Sequence, residues 1–261
     1  MDFGLAGKRA LVLSSSRGLG RGIAESLAAE GANVVLTARS EDKLKAAAEE
    51  INSRGKGRAT AIAADLKADP AGLHAKAVAA LGGPIDILIS NTGGPPPGTA
   101  LSVKPDAWTP QFESLVLPVF TIAGLCLPDM QKAGFGRIVV VASSGVIQPI
   151  PNLVMSNALR SSILGWAKTL SAEVAKDGIT VNMILPGRIE TDRTGELDEA
   201  NAKRLGKSRD EVSATAKAAI PAGRYGAVKE FADVACFLAS ERASYVTGSM
   251  IRVDGGATRS V

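Results

Sequence analysis

Histidine occurs once in this chain of 261 residues, at His74, and cysteine twice, at Cys126 and Cys236. Two distant cysteines in apolar surroundings supply neither a disulfide framework nor metal-ligand spacing, so no metal is expected. His74 follows Ala71-Gly72-Leu73 in a helix-like segment with no second ligand nearby, and it reads as a surface or packing residue. A zinc site and a Ser-His-Asp hydrolase therefore both lack parts. Aromatic residues make up only 4% of the chain against 46% apolar residues in all, which favours close helix-on-sheet packing by small side chains. No apolar run reaches the ~18 residues of a membrane span. The first five residues carry an acid at Asp2 and no stretch of signal-peptide character. These absences predict a cytoplasmic chain with no membrane partner. The net charge of +4 is dispersed. Its densest basic stretch, Lys203, Arg204, Lys207, Arg209 and Lys217, is interleaved with Glu196, Asp198, Glu199, Asp210 and Glu211. That pattern reads as a solvated helical face and not as a nucleic-acid surface.

What the chain does contain is short apolar runs without polar alternation, the mark of parallel strands buried on both faces. They fall at 9–13, 33–38, 59–64, 85–89, 137–142, 180–185 and 250–253. Helix-like segments lie between them at 18–30, 41–54, 69–81, 106–132, 152–176 and 228–240, with Ser40 as an N-cap and a kink expected at Pro118. Strand–helix alternation over seven strands predicts one doubly wound α/β domain across 1–261, with helices on both faces of a parallel sheet. Residues 188–224 read as one long irregular segment emerging at the carboxyl end of the sixth strand, where ligands bind in such sheets, and are expected to form a substrate lid.

After the first strand comes Ser14-Ser15-Ser16-Arg17-Gly18-Leu19-Gly20, and then a helix. Glycines at such a turn let a pyrophosphate approach the backbone, and the helix N-terminus favours its charge. The serine hydroxyls are candidate phosphate contacts. Further signals follow in order: Asp65-Leu66 ending the third strand, Ser90-Asn91-Thr92-Gly93 after the fourth, Asn182 with Pro186-Gly187-Arg188-Ile189-Glu190-Thr191, Tyr245-Val246-Thr247-Gly248, and Val253-Asp254-Gly255-Gly256. Together they resemble the short-chain dehydrogenase/reductase family, whose fold is of the Rossmann type, over essentially the whole chain. Leu13 and Ser14 depart from the family's Thr-Gly. A Cβ at position 14 is expected to be tolerated only with negative φ.

The resemblance implies a nicotinamide-dinucleotide site built from Ser14, Ser16, Arg17, Gly18, Leu19, Gly20, Asp65, Leu66, Asn91, Gly93, Pro186, Gly187, Ile189 and Thr191. In it the Ile189 backbone and Thr191 meet the nicotinamide amide. The second strand ends in Thr37-Ala38-Arg39 with no acid for a ribose 2′-hydroxyl. Arg39 and Arg17 instead suit a 2′-phosphate, so NADP(H) is the expected cofactor.

The family's chemistry uses an asparagine, a serine, a tyrosine and a lysine. Aligned through neighbours that match, the serine falls on Ser144, the tyrosine on Ser156, the lysine on Arg160 and the asparagine on Leu115. One position of the four keeps its residue. Ser144, Ser156 and Arg160 are the candidate catalytic group, acting as donors to a developing oxyanion. Arg160 also suits the nicotinamide ribose hydroxyls, and Asn157 is a further polar candidate. Tyr225 and Tyr245, the only tyrosines, are not placed to replace the missing donor. Gly134–Val139 and Ile220–Arg224 most resemble β-ketoacyl-acyl-carrier-protein reductases. The leading expectation is an NADP(H)-dependent oxidoreductase acting on a small carbonyl or an acyl thioester. The alternative is a catalytically silent dinucleotide-binding sensor or scaffold. The apolar segments 115–127 and 163–170 fit the family's habit of forming dimers and tetramers.

Overall fold

All seven buried runs form strands in the computed structural model, which describes residues 2–259. They are β1 (Arg9–Val12), β2 (Asn33–Ala38), β3 (Arg58–Ala63), β4 (Ile87–Ser90), β5 (Gly136–Val141), β6 (Ile179–Pro186) and β7 (Met250–Val253). Their order is β3-β2-β1-β4-β5-β6-β7, and every pairing is parallel. The order reverses between β1 and β4, so the crevice for a ligand opens above the carboxyl ends of those two strands.

Strand residues alternate between two apolar layers, which explains why the runs show no polar period. Ala10, Val12, Ile87, Ile89, Val139 and Val141 enter one core, with α1 (Gly18–Ala29), α2 (Glu41–Ser53) and α9 (Val228–Ala239). Leu11, Leu13, Leu88, Ile138 and Val140 enter the other, with α3 (Pro70–Leu81), α4 (Trp108–Leu115), α5 (Leu117–Ala133) and α6 (Val154–Val174). Both cysteines are buried in these layers, and burial pushes each thiol up to about 12.

Two expectations need correction. The kink expected at Pro118 is a break two residues earlier, at Val116: α4 stops at Leu115 and α5 starts at Leu117. Proline has no N–H and its ring crowds the carbonyl four residues back, so the helix parts upstream of it. Residues 188–224 are not irregular either. They hold two helices, α7 (Asp192–Leu205) and α8 (Arg209–Ala218). Thr191 caps the first by accepting from the Thr194 N–H, and Ser208 with Glu211 forms a capping box on the second. The helical stretch Pro105–Ala133 passes the length and apolarity test for a membrane span. It is nevertheless divided at Val116, and Val119, Ile122, Ala123, Cys126 and Met130 are buried in the core.

Candidate functional site: a cleft over the β1–β4 crossover

The phosphate turn is held by Ser15, expected with its two neighbours to be a phosphate contact. Ser15 is fully buried. Its hydroxyl donates to the Val12 carbonyl at 2.8 Å and accepts from the Thr37 N–H at 2.9 Å, tying β1 to β2. It is thus a brace and not a phosphate contact, and only Ser14 and Ser16 remain partly exposed to the cleft. Its burial inside a run of three serines left no signal in the sequence.

Ser14 has φ of +50°, against the expectation of a negative value. The turn keeps the left-handed backbone that glycine would adopt freely, and a residue with a Cβ bears a cost of about 1–2 kcal/mol for it. Two contacts hold it there. The Ser14 carbonyl accepts from Asn91 Nδ2 at 3.2 Å. The same carbonyl lies where Gly20 has no room for a side chain, since a Cβ there would come within 2.5 Å of it. Asn91 and Gly20 thereby join the turn. Leu19, the second residue of α1, packs partly buried against the first core, and Gly18 carries φ of +58° at the first position of the helix.

The α1 N-terminus suits an anion. Its cap residue, Arg17, makes no side-chain capping bond, and no acid stands in the first turn. The orphan N–H groups and the positive end of the helix dipole are left for a ligand. Opposite lies the loop after β6. Thr191 lies against the turn, its methyl 3.7 Å from where a Cβ on Gly18 would be. Pro186 and Gly187 are half-buried and Ile189 is buried, and a parallel bridge pairs Ile189 with Gly226. Arg39 and Asp65 are exposed at the strand ends, and Arg39 makes no ion pair or hydrogen bond with any described residue. Leu66 packs partly into the second core, and Gly93 is exposed.

Ser156 and Arg160 lie one turn apart on α6, on its buried face. The Arg160 guanidinium donates to the Val141 carbonyl at 3.0 Å, the Gly93 carbonyl at 3.0 Å and the Thr92 carbonyl at 3.4 Å. It ties the end of β5 to the loop after β4. Among the described residues no carboxylate pairs with it, and burial alone pushes its pKa down to about 10, so it remains a cation at neutral pH. Most of its donors are spent on backbone, which leaves little for ribose hydroxyls. The hydroxyls of Ser144 and Ser156 bond no described residue. Leu115 is buried, and its carbonyl accepts from the Thr92 hydroxyl at 3.2 Å. Asn157 is spent on the loop before α6: its amide clasps both the N–H and the carbonyl of Ile150. Neither tyrosine reaches this group. Tyr225 donates to Asp198 at 2.7 Å, and Tyr245 is fully exposed.

An open depression of about 590 Å³ on the α7 side is lined by Glu190, Thr191, Asp192, Gly195, Glu196, Glu199 and Arg209. None of Ser144, Ser156 and Arg160 borders it, so it is not a reaction chamber.

A doubly wound sheet with a glycine turn at its crossover, faced by a Pro-Gly-x-Ile-x-Thr loop, defines an α/β protein of the dinucleotide-binding class. Residues 13–258 match the family described as Enoyl-(Acyl carrier protein) reductase. The chain belongs to that family, within the short-chain dehydrogenases/reductases. It is 37% identical to the 3-oxoacyl-[acyl-carrier-protein] reductase FabG of Salmonella typhimurium, covering 96% of this chain and 97% of the relative. The Escherichia coli protein of the same name is 36% identical with the same coverage. Among solved structures, L-sorbose reductase from Gluconobacter frateurii, complexed with NADPH and L-sorbose, covers 100% of both chains at 33% identity and a TM-score of 0.92. An actinorhodin polyketide ketoreductase with NADPH is 30% identical with a TM-score of 0.92, covering 97% of this chain and 98% of its own.

Proposed function

We propose that the chain is an NADP(H)-dependent oxidoreductase acting on a carbonyl or alcohol, with a 3-oxoacyl thioester as the substrate class to test first. One observation carries the reading: the left-handed Gly18 turn and the Thr191 loop meet across the β1–β4 crossover, leaving an uncapped helix N-terminus between them. Arg17 and Arg39 supply the cations for a 2′-phosphate. The FabG relatives and the NADPH-bound reductase structures support both halves of the reading.

The family's tyrosine and lysine positions fall on Ser156 and Arg160. NADPH, when bound, would supply a hydride to the carbonyl carbon. Ser144 and Ser156 hydroxyls then hydrogen-bond the oxygen as it gains charge, and Arg160 stands behind them as a fixed cation that does not give up its proton at neutral pH. The proton comes from solvent by way of these hydroxyls. General acid catalysis typically contributes ~10²–10⁴-fold, so turnover is expected to be slow by that margin. The segment 188–224, with α7 and α8, forms the substrate lid of the single domain 1–261. A second copy of the chain covers the outer face of α5, where Leu117 is 41% exposed.

A second reading rests on Arg160 itself. Its guanidinium is spent on three backbone carbonyls, as in a structural tie, which fits a dinucleotide-binding sensor or scaffold without turnover. Fluorescence titration with NADPH followed by turnover assays on ketones and acetoacetyl thioesters separates the two. Oxidation of NADPH above background supports the reductase; tight binding with no turnover on any of them leaves the sensor.

A further inference from the structure

The guanidinium of Arg17, the residue just before the glycine of the phosphate turn, is already engaged. Its Nη1 donates to Asp192 at 3.0 Å, and its Nη2 lies 3.7 Å from Glu196. Both carboxylates belong to the first turns of α7, 175 residues away along the chain in the case of Asp192. Glu196 also accepts from Arg193 at 3.3 Å, and Arg193 donates to the Pro95 carbonyl at 3.2 Å. A chain of polar contacts therefore runs from the phosphate turn, across α7, to the proline-rich loop after β4. The two terminal nitrogens of Arg17 are the pair that a phosphate would engage in bidentate fashion. Two carboxylates hold them instead, at the N-terminus of a helix whose dipole favours their charge.

We infer that Asp192 and Glu196 are specificity-determining residues for the cofactor: they stand in for the 2′-phosphate at Arg17 and so set the margin by which a phosphorylated dinucleotide is preferred over an unphosphorylated one. This inference rests on the proposed role of Arg17. A phosphate arriving at Arg17 displaces both carboxylates, because three anions around one guanidinium repel each other. Its apparent affinity is lowered by the fraction of molecules in which the latch is closed. The ribose 2′-hydroxyl of NADH makes no such demand. Arg39, which has no partner among the described residues, contributes to phosphate binding without this competition. Displacement also frees α7 at its N-terminal end, so the phosphorylated cofactor loosens the lid and the unphosphorylated one leaves it latched.

The pairs are exposed, with side-chain accessibilities of 56% for Arg17, 69% for Asp192 and 50% for Glu196, so their effect is modest and salt-sensitive. Fluorescence titrations with NADPH and NADH at low ionic strength test it. The Asp192→Asn/Glu196→Gln variant is expected to tighten NADPH roughly two- to fivefold and leave NADH unchanged, the range expected for exposed ion pairs. Glu196→Gln alone gives a smaller shift in the same direction. Glu199→Gln, which removes an equal charge from the same depression without touching Arg17, moves neither affinity. An unchanged NADPH:NADH ratio in the double variant overturns the inference, whether neither cofactor tightens or both do so alike. The Arg17→Gln protein separates this failure from that of the underlying reading. If it loses NADPH affinity and keeps NADH, Arg17 does meet the phosphate and only the latch is wrong. If it loses neither, the role of Arg17 falls and the latch with it.

Discussion

At the nucleotide end of the cleft a strained backbone position is held by its neighbours; at the chemistry end a cation is spent on backbone carbonyls and two hydroxyls bond no described residue. Ser14 adopts φ of +50° because Asn91, Gly20 and the buried Ser15 fix the turn around it. A backbone site tolerates such strain at a cost of about 1–2 kcal/mol, spread over a well-braced loop. Chemistry has no comparable reserve. On the proposed reading the aliphatic hydroxyl of Ser156 is a weak acid and Arg160 holds its proton, so neither is a ready proton donor. Binding and turnover are therefore separable in this chain, and substitutions at the two ends should separate them.

The largest expected effect comes from installing a tyrosine and a lysine on α6. Ser156→Tyr/Arg160→Lys should raise NADPH oxidation with an acetoacetyl thioester by ~10²–10⁴-fold if the cleft positions the carbonyl. A null result with NADPH still bound would show that substrate is not held over the nicotinamide. Next in size is the structural weight of Arg160. Arg160→Met leaves the Val141, Gly93 and Thr92 carbonyls without their donor. An unsatisfied buried group costs ~1–3 kcal/mol, so a loss of at least ~2 kcal/mol in urea unfolding is expected. Arg160→Lys should recover part of it. A neutral result would show that the tie is idle and would return Arg160 wholly to the chemistry.

At the nucleotide end the effects are smaller and opposite in sign. Ser15→Ala strips the brace from the Thr37 N–H and should cost ~1–3 kcal/mol. Ser14→Gly relieves the left-handed strain and should stabilise by about 0.5–1 kcal/mol after the added chain entropy. If Ser14→Gly destabilises, the serine hydroxyl has a partner that matters more than the strain.

How far the sequence reached follows the same physics. Buried strands announce themselves by apolar runs, and all seven are located to within about two residues, β4 being displaced from 85–89 to Ile87–Ser90. Helices α7 and α8 went unread because their signal is not apolar periodicity. In α7 the buried positions are Asp198 and Ala202, and Asp198 is there only because Arg188 and Tyr225 pair with it. Their N-caps, Thr191 and Ser208 with Glu211, lie in a segment whose mixed charges fit a solvated helical face but whose lack of an apolar period hides where each helix starts and stops. The pairing of Arg17 with Asp192 joins segments far apart in sequence and carries no local mark. Likewise, a sequence names Arg160 but not the carbonyls it binds. Covalent neighbours and periodicity determine elements; the partners of a buried polar group are decided by the tertiary fold.

The smallest effect concerns His74, read as a surface or packing residue. It is half-buried on α3, and its Nε2 is buried with no hydrogen-bond partner. Burial lowers its pKa from the ordinary 6.5, opposed in part by Asp129 on α5. Below pH 6.5 the unfolded chain takes up a proton that the folded one resists, so the unfolded state binds more protons and stability falls as the pH drops. Carboxylates contribute to acid sensitivity as well, so the informative quantity is a difference between proteins. Because His74 is the only histidine, the excess loss between about pH 7.5 and 5.5 belongs to it alone. Urea midpoints at the two pH values should converge more closely in His74→Gln than in the parent. If the parent loses no more than the variant, the buried Nε2 is satisfied in solution by a water, and the imidazole is part of the surface after all.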